Sequence, residues 1–368
     1  MKALFVVVLV VHGLIHFLGV AKALGLADLP QPTQPVSRVD GVVWLLAGLS
    51  VLATVGALLW APRWWWIVGL AALALSQAAI VSSWSDAKLG TIVNIIVLAA
   101  VAFGFASQGP VSLRSEYRRE VERRLSSPVS PELVTEADLE HLPDPVRRYL
   151  RVAGAVGQPR VHHVRAAWRG RIRAKADDPW MEFTAEQHNF PGEPARFFLM
   201  DARRSGLPVD VLHSYHADVA TMRVRLLSAF PLVDARGSEM RQAETVTVLN
   251  DMSVFAPATL IDPRIRWEEI DTHRARARYT VGPCTVSAVL VFDDAGELVD
   301  FVSDDRLASV EGEALRHWRW STPLSEYRSF GALRIASRGE GRWHAPEGDF
   351  AYIELELLEL DINGEAPE

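Results

Sequence analysis

The 368 residues predict an α+β chain in two unlike parts: an N-terminal four-helix transmembrane bundle, then a curved antiparallel β-sheet with one or two helices packed against it. Two observations carry this. Residues 1–108 hold only five basic residues (Lys2, Lys22, Arg38, Arg63, Lys88) and three acidic ones (Asp28, Asp40, Asp86), although the chain has 38 Lys+Arg and 45 Asp+Glu. From residue 160 onward, apolar residues recur at every second position, the period of half-buried strands. The boundaries fall at 1–108 for the bundle, 109–134 for a basic amphipathic linker, and 135–368 for a soluble β domain with N-terminal helices.

A hydrocarbon core needs roughly 20 apolar residues at helical rise, and stretches near 3–25, 40–61, 64–84 and 89–107 supply them. Trp60, Trp64, Trp65 and Trp66 bracket the Ala61-Pro62-Arg63 turn, and Trp84 precedes Ser85-Asp86. Indole rings favour the headgroup boundary, so these positions mark both interfaces. The first apolar run is too long for a cleaved signal peptide, lacks a small-x-small cleavage site and precedes three more spans. With the N-terminus in the cytoplasm, Lys2, Arg63, Arg114, Arg118, Arg119, Arg123 and Arg124 lie inside, against Lys22, Arg38 and Lys88 outside. That bias predicts a protein integral to the bacterial cytoplasmic membrane, with its large domain cytoplasmic. Cys284, the single cysteine, has no internal disulfide partner.

After the spans, "LRSEYRREVERRL" sets Tyr117, Val121 and Leu125 on one side of a helix. This fits either a helix lying on an anionic membrane or a solvated continuation of the fourth span. "SSPVSPEL" reads as a linker. Thr135 and Asp138 form a capping-box pattern. Asp144 is placed to cap a second helix with Pro145 in its first turn and Gly154 as its stop, and Val146, Tyr149, Leu150 and Val152 give it an apolar stripe. "WMEFTAEQHNF" and "ARFFLMDAR" are strand-like. The block 274–306 reads as an antiparallel meander in which Arg274, Arg276 and Arg278 share the wet face opposite Ala275, Ala277 and Tyr279. The last strand, "FAYIELELLEL", sets Ile353, Leu355 and Leu357 against Glu354 and Glu356.

Two resemblances follow from these motifs. "HGLIHFLGVAKALGL", "SSWSDAKLGTIVNIIVL" and the four-span layout resemble the small DoxX-type membrane modules over about 105 residues. "LPDPVRRYLRVAG", "LNDMSVFAPATL", "DFVSDDR" and the run from Trp318 to Leu357 resemble a bacterial family of domains of unknown function over most of 140–362. The inferred strand order is similar to the half-barrels of lipoprotein carriers, which implies a curved sheet enclosing an apolar cavity.

Two sets of residues are candidates for function. In the bundle, His12 and His16 share one helical face, and in the cytoplasmic-N-terminus arrangement His16, Gln77 and Asn94 sit at comparable depth with Asp40 near the outer mouth. Three roles fit: hydrogen bonds that fix packing, a proton or ligand site, or a metal held by His12 and His16 with Asp40 as third ligand. In the β domain Trp267, Phe292, Phe301, Trp318, Trp320, Tyr327, Trp343 and Tyr352, with Arg306, either line an apolar ligand pocket or form core. His162 and His163 point to opposite faces of a strand. His213, His216 and Asp218 in "HSYHAD" match a metal-binding spacing, but neighbouring turn signals favour an exposed loop. For Asp304, Asp305 and Arg306, a buried ion pair and a head-group contact both fit.

No nucleophile elbow, P-loop, dinucleotide fingerprint or HExxH is present, so the sequence leans away from an enzyme. The acidic soluble part argues against nucleic acid. The expectation is a membrane-tethered module that holds a lipid or other apolar small molecule in its β domain. The alternative is a DoxX-like redox accessory, or a metal or proton site, in the bundle. No cofactor and no oligomeric state are assigned.

Overall fold

The structure, a computed structural model, describes residues 2–26, 33–125, 132–216, 219–308 and 316–364. The chain divides into two compact units, residues 1–116 with 227–229, and 117–226 with 230–368.

The first unit is helical: α1 (Lys2–Ala23), α2 (Arg38–Trp60), α3 (Trp65–Ser82), a single turn α4 (Trp84–Ala87) and α5 (Gly90–Gln108). Four helices are long and apolar enough to cross a membrane. Large apolar side chains such as Leu4, Val42 and Ile95 are exposed, while Gly13, Gly19, Gly41, Ala47 and Ala79 are buried. Small residues let helix backbones approach closely, which is how helices associate where lipid supplies no hydrophobic drive. A Cβ on Gly19 would run into the Trp44 indole, so the α1–α2 contact needs glycine there.

The second unit contains α6 (Leu113–Leu125, from Tyr117 onward), a 3₁₀ turn at Glu136–Leu139, α7 (Asp144–Val152), α8 (Ser238–Val254) and a 3₁₀ turn at Pro257–Ile261. Its strands are β1 (Val164–Ile172), β2 (Met181–Phe190), β3 (Ala195–Arg204), β4 (Leu207–His216), β5 (Val219–Leu226) and β6 (Phe230–Arg236), then β7 (Ile265–Asp271), β8 (Arg274–Val281), β9 (Cys284–Phe292) and β10 (Leu298–Ser303). Short strands β11 (Leu307–Ala308), β12 (Arg316–His317) and β13 (Arg319–Ser321) precede β14 (Leu324–Phe330), β15 (Leu333–Ala345) and β16 (Gly348–Ile362).

Fourteen strands form one antiparallel sheet in the order β6-β5-β4-β3-β2-β1-β16-β15-β13-β10-β9-β8-β7, with β14 paired to β15. The chain therefore builds one meander outward from β1, returns through α8, and builds a second that closes on the first through the β1–β16 pair. Helix α8 joins the two edge strands and packs on β5 and β6 at one end of the order and on β9 and β10 at the other. Touching both ends requires the sheet to curl around the helix, which gives the predicted curvature its cause.

The meander at 274–306 has the expected facing: Ala275, Ala277 and Tyr279 are buried, and the arginines between them lie on the outer side. In β16 the alternation holds to Leu357. A bulge then opposes Ala167–Trp168 to Glu359–Leu357 and leaves Leu358 exposed.

Three local expectations change. Pro143, not Asp144, occupies the N-cap of α7, because Asp144 is the first helical residue and pairs with Arg147 instead. The apolar side of helix α6 packs on the β domain rather than facing solvent, with Tyr117 at 5.9 Å from the His188 ring, and the Arg124 guanidinium lies 4.9 Å over Phe197. His213 and His216 are in strand β4 rather than a loop, while Asp218 lies outside the described residues. The 126–131 part of the expected linker also lies outside them.

Candidate functional site

Helix α8 begins after Gly237, whose φ of 108° favours glycine, and from Ala243 to Val254 every residue is buried. Its sequence, "AETVTVLNDMSV", has apolar residues on more than one side because the sheet surrounds it. Glu244, Thr247 and Asp251, at i, i+3 and i+7, share one stripe. That stripe and Asn250 line a cavity of about 420 Å³ between α8 and the concave face of the sheet.

One wall of the cavity is a buried polar network. Arg196 donates from Nε to Asp251 at 2.7 Å and from Nη1 to Glu244 at 3.1 Å. Asp251 also accepts from the Gln187 amide at 2.6 Å and the Asn189 amide at 2.9 Å. His213 Nδ1 lies 2.9 Å from the other oxygen of Glu244. Burial by itself would raise the Glu244 carboxyl, but His213, Arg196 and the more distant Arg306 outweigh it and hold it at about 2. For Asp251 burial prevails over its partners, aided by the Glu244 charge, and its carboxyl is raised.

The remaining walls are largely apolar, with Trp168, Phe198, Met200, Phe255, Trp320 and Trp343 among the lining side chains. The Arg306 guanidinium lies 4.6 Å over the Trp320 ring and 5.8 Å over the Trp343 ring. It donates to the Thr247 hydroxyl at 2.6 Å and to the Tyr352 hydroxyl at 3.3 Å. Trp343 and Tyr352 stack at 5.5 Å. An apolar enclosure with a few fixed polar groups is the usual anatomy of a small-molecule site.

Of the residues singled out in the β domain, Arg306, Trp320, Trp343 and Tyr352 meet at this cavity. The others serve packing. Phe301 stands edge-on behind Trp320 at 6.0 Å and Phe292 packs on Tyr149 at 5.5 Å. Tyr327 donates to the Leu298 carbonyl at 2.8 Å, Trp267 reaches the Leu260 carbonyl at 3.4 Å, and Trp318 lies under Arg316. Asp304 pairs with Arg319, and Asp305 accepts from the Ser287 backbone and hydroxyl, so neither carboxylate meets Arg306. Sequence reasoning missed Arg196, Gln187, Asn189, Glu244 and Asp251. The one available signal was two acids seven apart in a β-branched run.

In the bundle, His12, His16, Gln77 and Asn94 do come together, linked by Ser76. His12 Nε2 lies 3.1 Å from both Ser76 Oγ and Asn94 Oδ1, and the Asn94 amide donates to Gln77 at 3.0 Å. His16 Nδ1 donates to the His12 carbonyl at 2.8 Å and its Nε2 lies 3.0 Å from Ser76 Oγ, while the Ser76 hydroxyl donates to Asn94 Oδ1 at 3.0 Å. Asp40 is not in this network; it sits in the first turn of α2, bonded to Ser37. Among the described residues no three His, Cys, Asp or Glu side chains converge as a metal-ligand set.

Residues 132–355 match DUF6544, a family of unknown function. No curated protein matches the chain. Among solved structures, the chain is similar to a DUF1329 family protein from Desulfovibrio piger ATCC 29098, with 12% identity, 63% of this chain and 94% of that one covered, and a TM-score of 0.35. It is also similar to a LolA superfamily protein from Nitrosomonas europaea, with 11% identity, 60% and 94% covered, and a TM-score of 0.29.

Proposed function

The chain belongs to this family of unknown function, DUF6544, and we propose that it is a membrane-tethered binding module whose β domain holds a lipid or other apolar ligand. The observation that carries the reading is the cavity of about 420 Å³ between α8 and the curved sheet, walled by tryptophan, phenylalanine and methionine with a few fixed polar groups. Its volume lies toward the small end of the roughly 300–1,000 Å³ usual for ligand pockets, which suits one chain or ring system. The buried carboxylates are already engaged by Arg196, His213, Gln187 and Asn189, so they supply a preformed polar wall. The four apolar helices are the tether. The excess of basic residues on the N-terminal side puts the β domain on the cytoplasmic face in this reading.

The test is native mass spectrometry of the full chain in a mild detergent, followed by solvent extraction and identification of what is released. The expected result is a stoichiometric apolar or amphipathic species that is lost when Met222→Trp fills the cavity. An empty wild-type protein that also binds no added amphiphile would sink the reading.

A second reading rests on the Ser76-centred network, which gathers two histidines among apolar helices and makes the bundle a proton, metal or redox-accessory site, as DoxX-like behaviour would require. Elemental analysis and absorption spectra of wild type and His16→Ala decide it. Cofactor content that falls in the variant favours the bundle, and content that is nil or unchanged dismisses His16 as a ligand.

A further inference from the structure

We infer that Arg306 is a head-group anchor, and that the ligand of this cavity is an anionic amphiphile: an apolar chain ending in a carboxylate or phosphate oxyacid. This rests on the binding reading above and adds the charge and the pole of the ligand.

The two arginines of the cavity differ in what they meet. Arg196 is held between two carboxylates. Arg306 lies at the cavity wall with no carboxylate in ion-pair range among the described residues, and the acids beside it in sequence are bound elsewhere, Asp304 to Arg319 and Asp305 to Ser287. Glu244 is turned to Arg196 and His213. Arg306 Nη1 is satisfied by Thr247, but Nε is buried with no acceptor and Nη2 makes only the 3.3 Å contact with Tyr352. Nε and Nη2 form the side-on edge of the guanidinium, the edge that grips an oxyanion through two parallel bonds.

Trp320 supplies a second, independent sign. It is 4% exposed, lines the cavity beneath the same guanidinium, and its indole Nε1–H is also buried without an acceptor. Trp168, on the same cavity, is orphaned in the same way. All three groups are donors with no acceptor capacity. Leaving buried donors unpaired is costly, and an acceptor-only oxyanion is the chemistry that satisfies the adjacent Arg306 and Trp320 donors together. The neighbouring Trp320 and Trp343 rings, cross-strand partners on β13 and β15, hold the guanidinium by cation–π contact, and the rest of the wall, including Phe198, Met200 and Phe255, offers the chain an apolar run.

The experiment uses the full chain in dodecyl maltoside, titrated separately with palmitate, hexadecyl phosphate and hexadecanol, which share one chain and differ at the head. Wild type should bind at least one of the two acids about tenfold or more tighter than the alcohol, the share of one charge-assisted bond. In Arg306→Gln and in Trp320→Phe that ratio should fall toward one, whatever the absolute affinity. Which acid is preferred separates a free fatty acid from a phosphate-headed lipid. Equal binding of acid and alcohol by wild type, or a preference that survives Arg306→Gln, overturns the anchor and leaves the apolar cavity standing. Failure of all three probes overturns the binding reading with it.

Discussion

Arg196 reaches Asp251 at 2.7 Å inside the curl of the sheet, where both side chains are 8% exposed, and the same guanidinium spans to Glu244. Strand β3 and helix α8, far apart in sequence, are thus tied by one buried cation between two acids. Arg196→Met should destabilise the β domain by about 3–5 kcal/mol, because it leaves two carboxylates buried without their cation. Asp251→Asn keeps the shape and removes a carboxyl that burial already disfavours as an anion, so it should cost markedly less. Thermal unfolding followed by near-ultraviolet circular dichroism compares the two, and equal losses would contradict the account.

Glu244 sets an acid limb on stability. Its folded value, about 2, lies below its ordinary 4.5, so its contribution is fully present above pH 4.5 and is lost as pH falls toward 2. The linkage amounts to about 3 kcal/mol. Asp251 is shifted the other way, so its contribution is present at low pH and is lost as pH rises through its folded value. Glu244→Gln should therefore flatten the decline between pH 4.5 and 2, measured by denaturation at a series of pH values. A variant with the wild-type slope in that window would refute the assignment.

Ser76 is the joint of the bundle network. Ser76→Ala removes the hydroxyl that donates to Asn94 and leaves His16 Nε2 without its side-chain neighbour, while His12 keeps Asn94. The expected cost is about 1 kcal/mol. Thermal stability of the purified protein, read by size-exclusion chromatography after heating, should fall by a few degrees without change in the strand signal.

Gly19 should tolerate no large side chain. Gly19→Leu forces α1 off the Trp44 indole and should lower the bundle's melting temperature well beyond the Ser76 effect, since overpacking costs about 1–3 kcal/mol or more. Adding Trp44→Ala makes room and should recover part of the loss. No recovery in the double variant would mean the glycine serves something other than that contact.

Much of this architecture was readable residue by residue. Arg274, Arg276 and Arg278 against Ala275, Ala277 and Tyr279 announce a strand with one buried face, and the structure puts the alanines and the tyrosine inside. Helix α8 was not readable. A helix enclosed by a sheet has no water-facing stripe, and its valines and threonines carry strand-like preferences, so period and propensity both point away from it. The aromatic list was divided for a related reason: Phe292 and Trp320 are both buried on strands, and only their neighbours across the sheet determine whether a ring meets core or cavity.

The sequence by itself determined the two-part plan, the four apolar helices and the alternation of the later strands, because each depends on the local order of polar and apolar residues. Only the tertiary structure decided that α8 would close the sheet's two ends, that Arg196 would stand between Glu244 and Asp251, and that Arg306 would lie over Trp320 beside empty space. Arg196 and Asp251 stand 55 residues apart in the chain, Arg196 and Glu244 48, and a charge carries no mark in the local sequence of the partner it will meet once the sheet has curled.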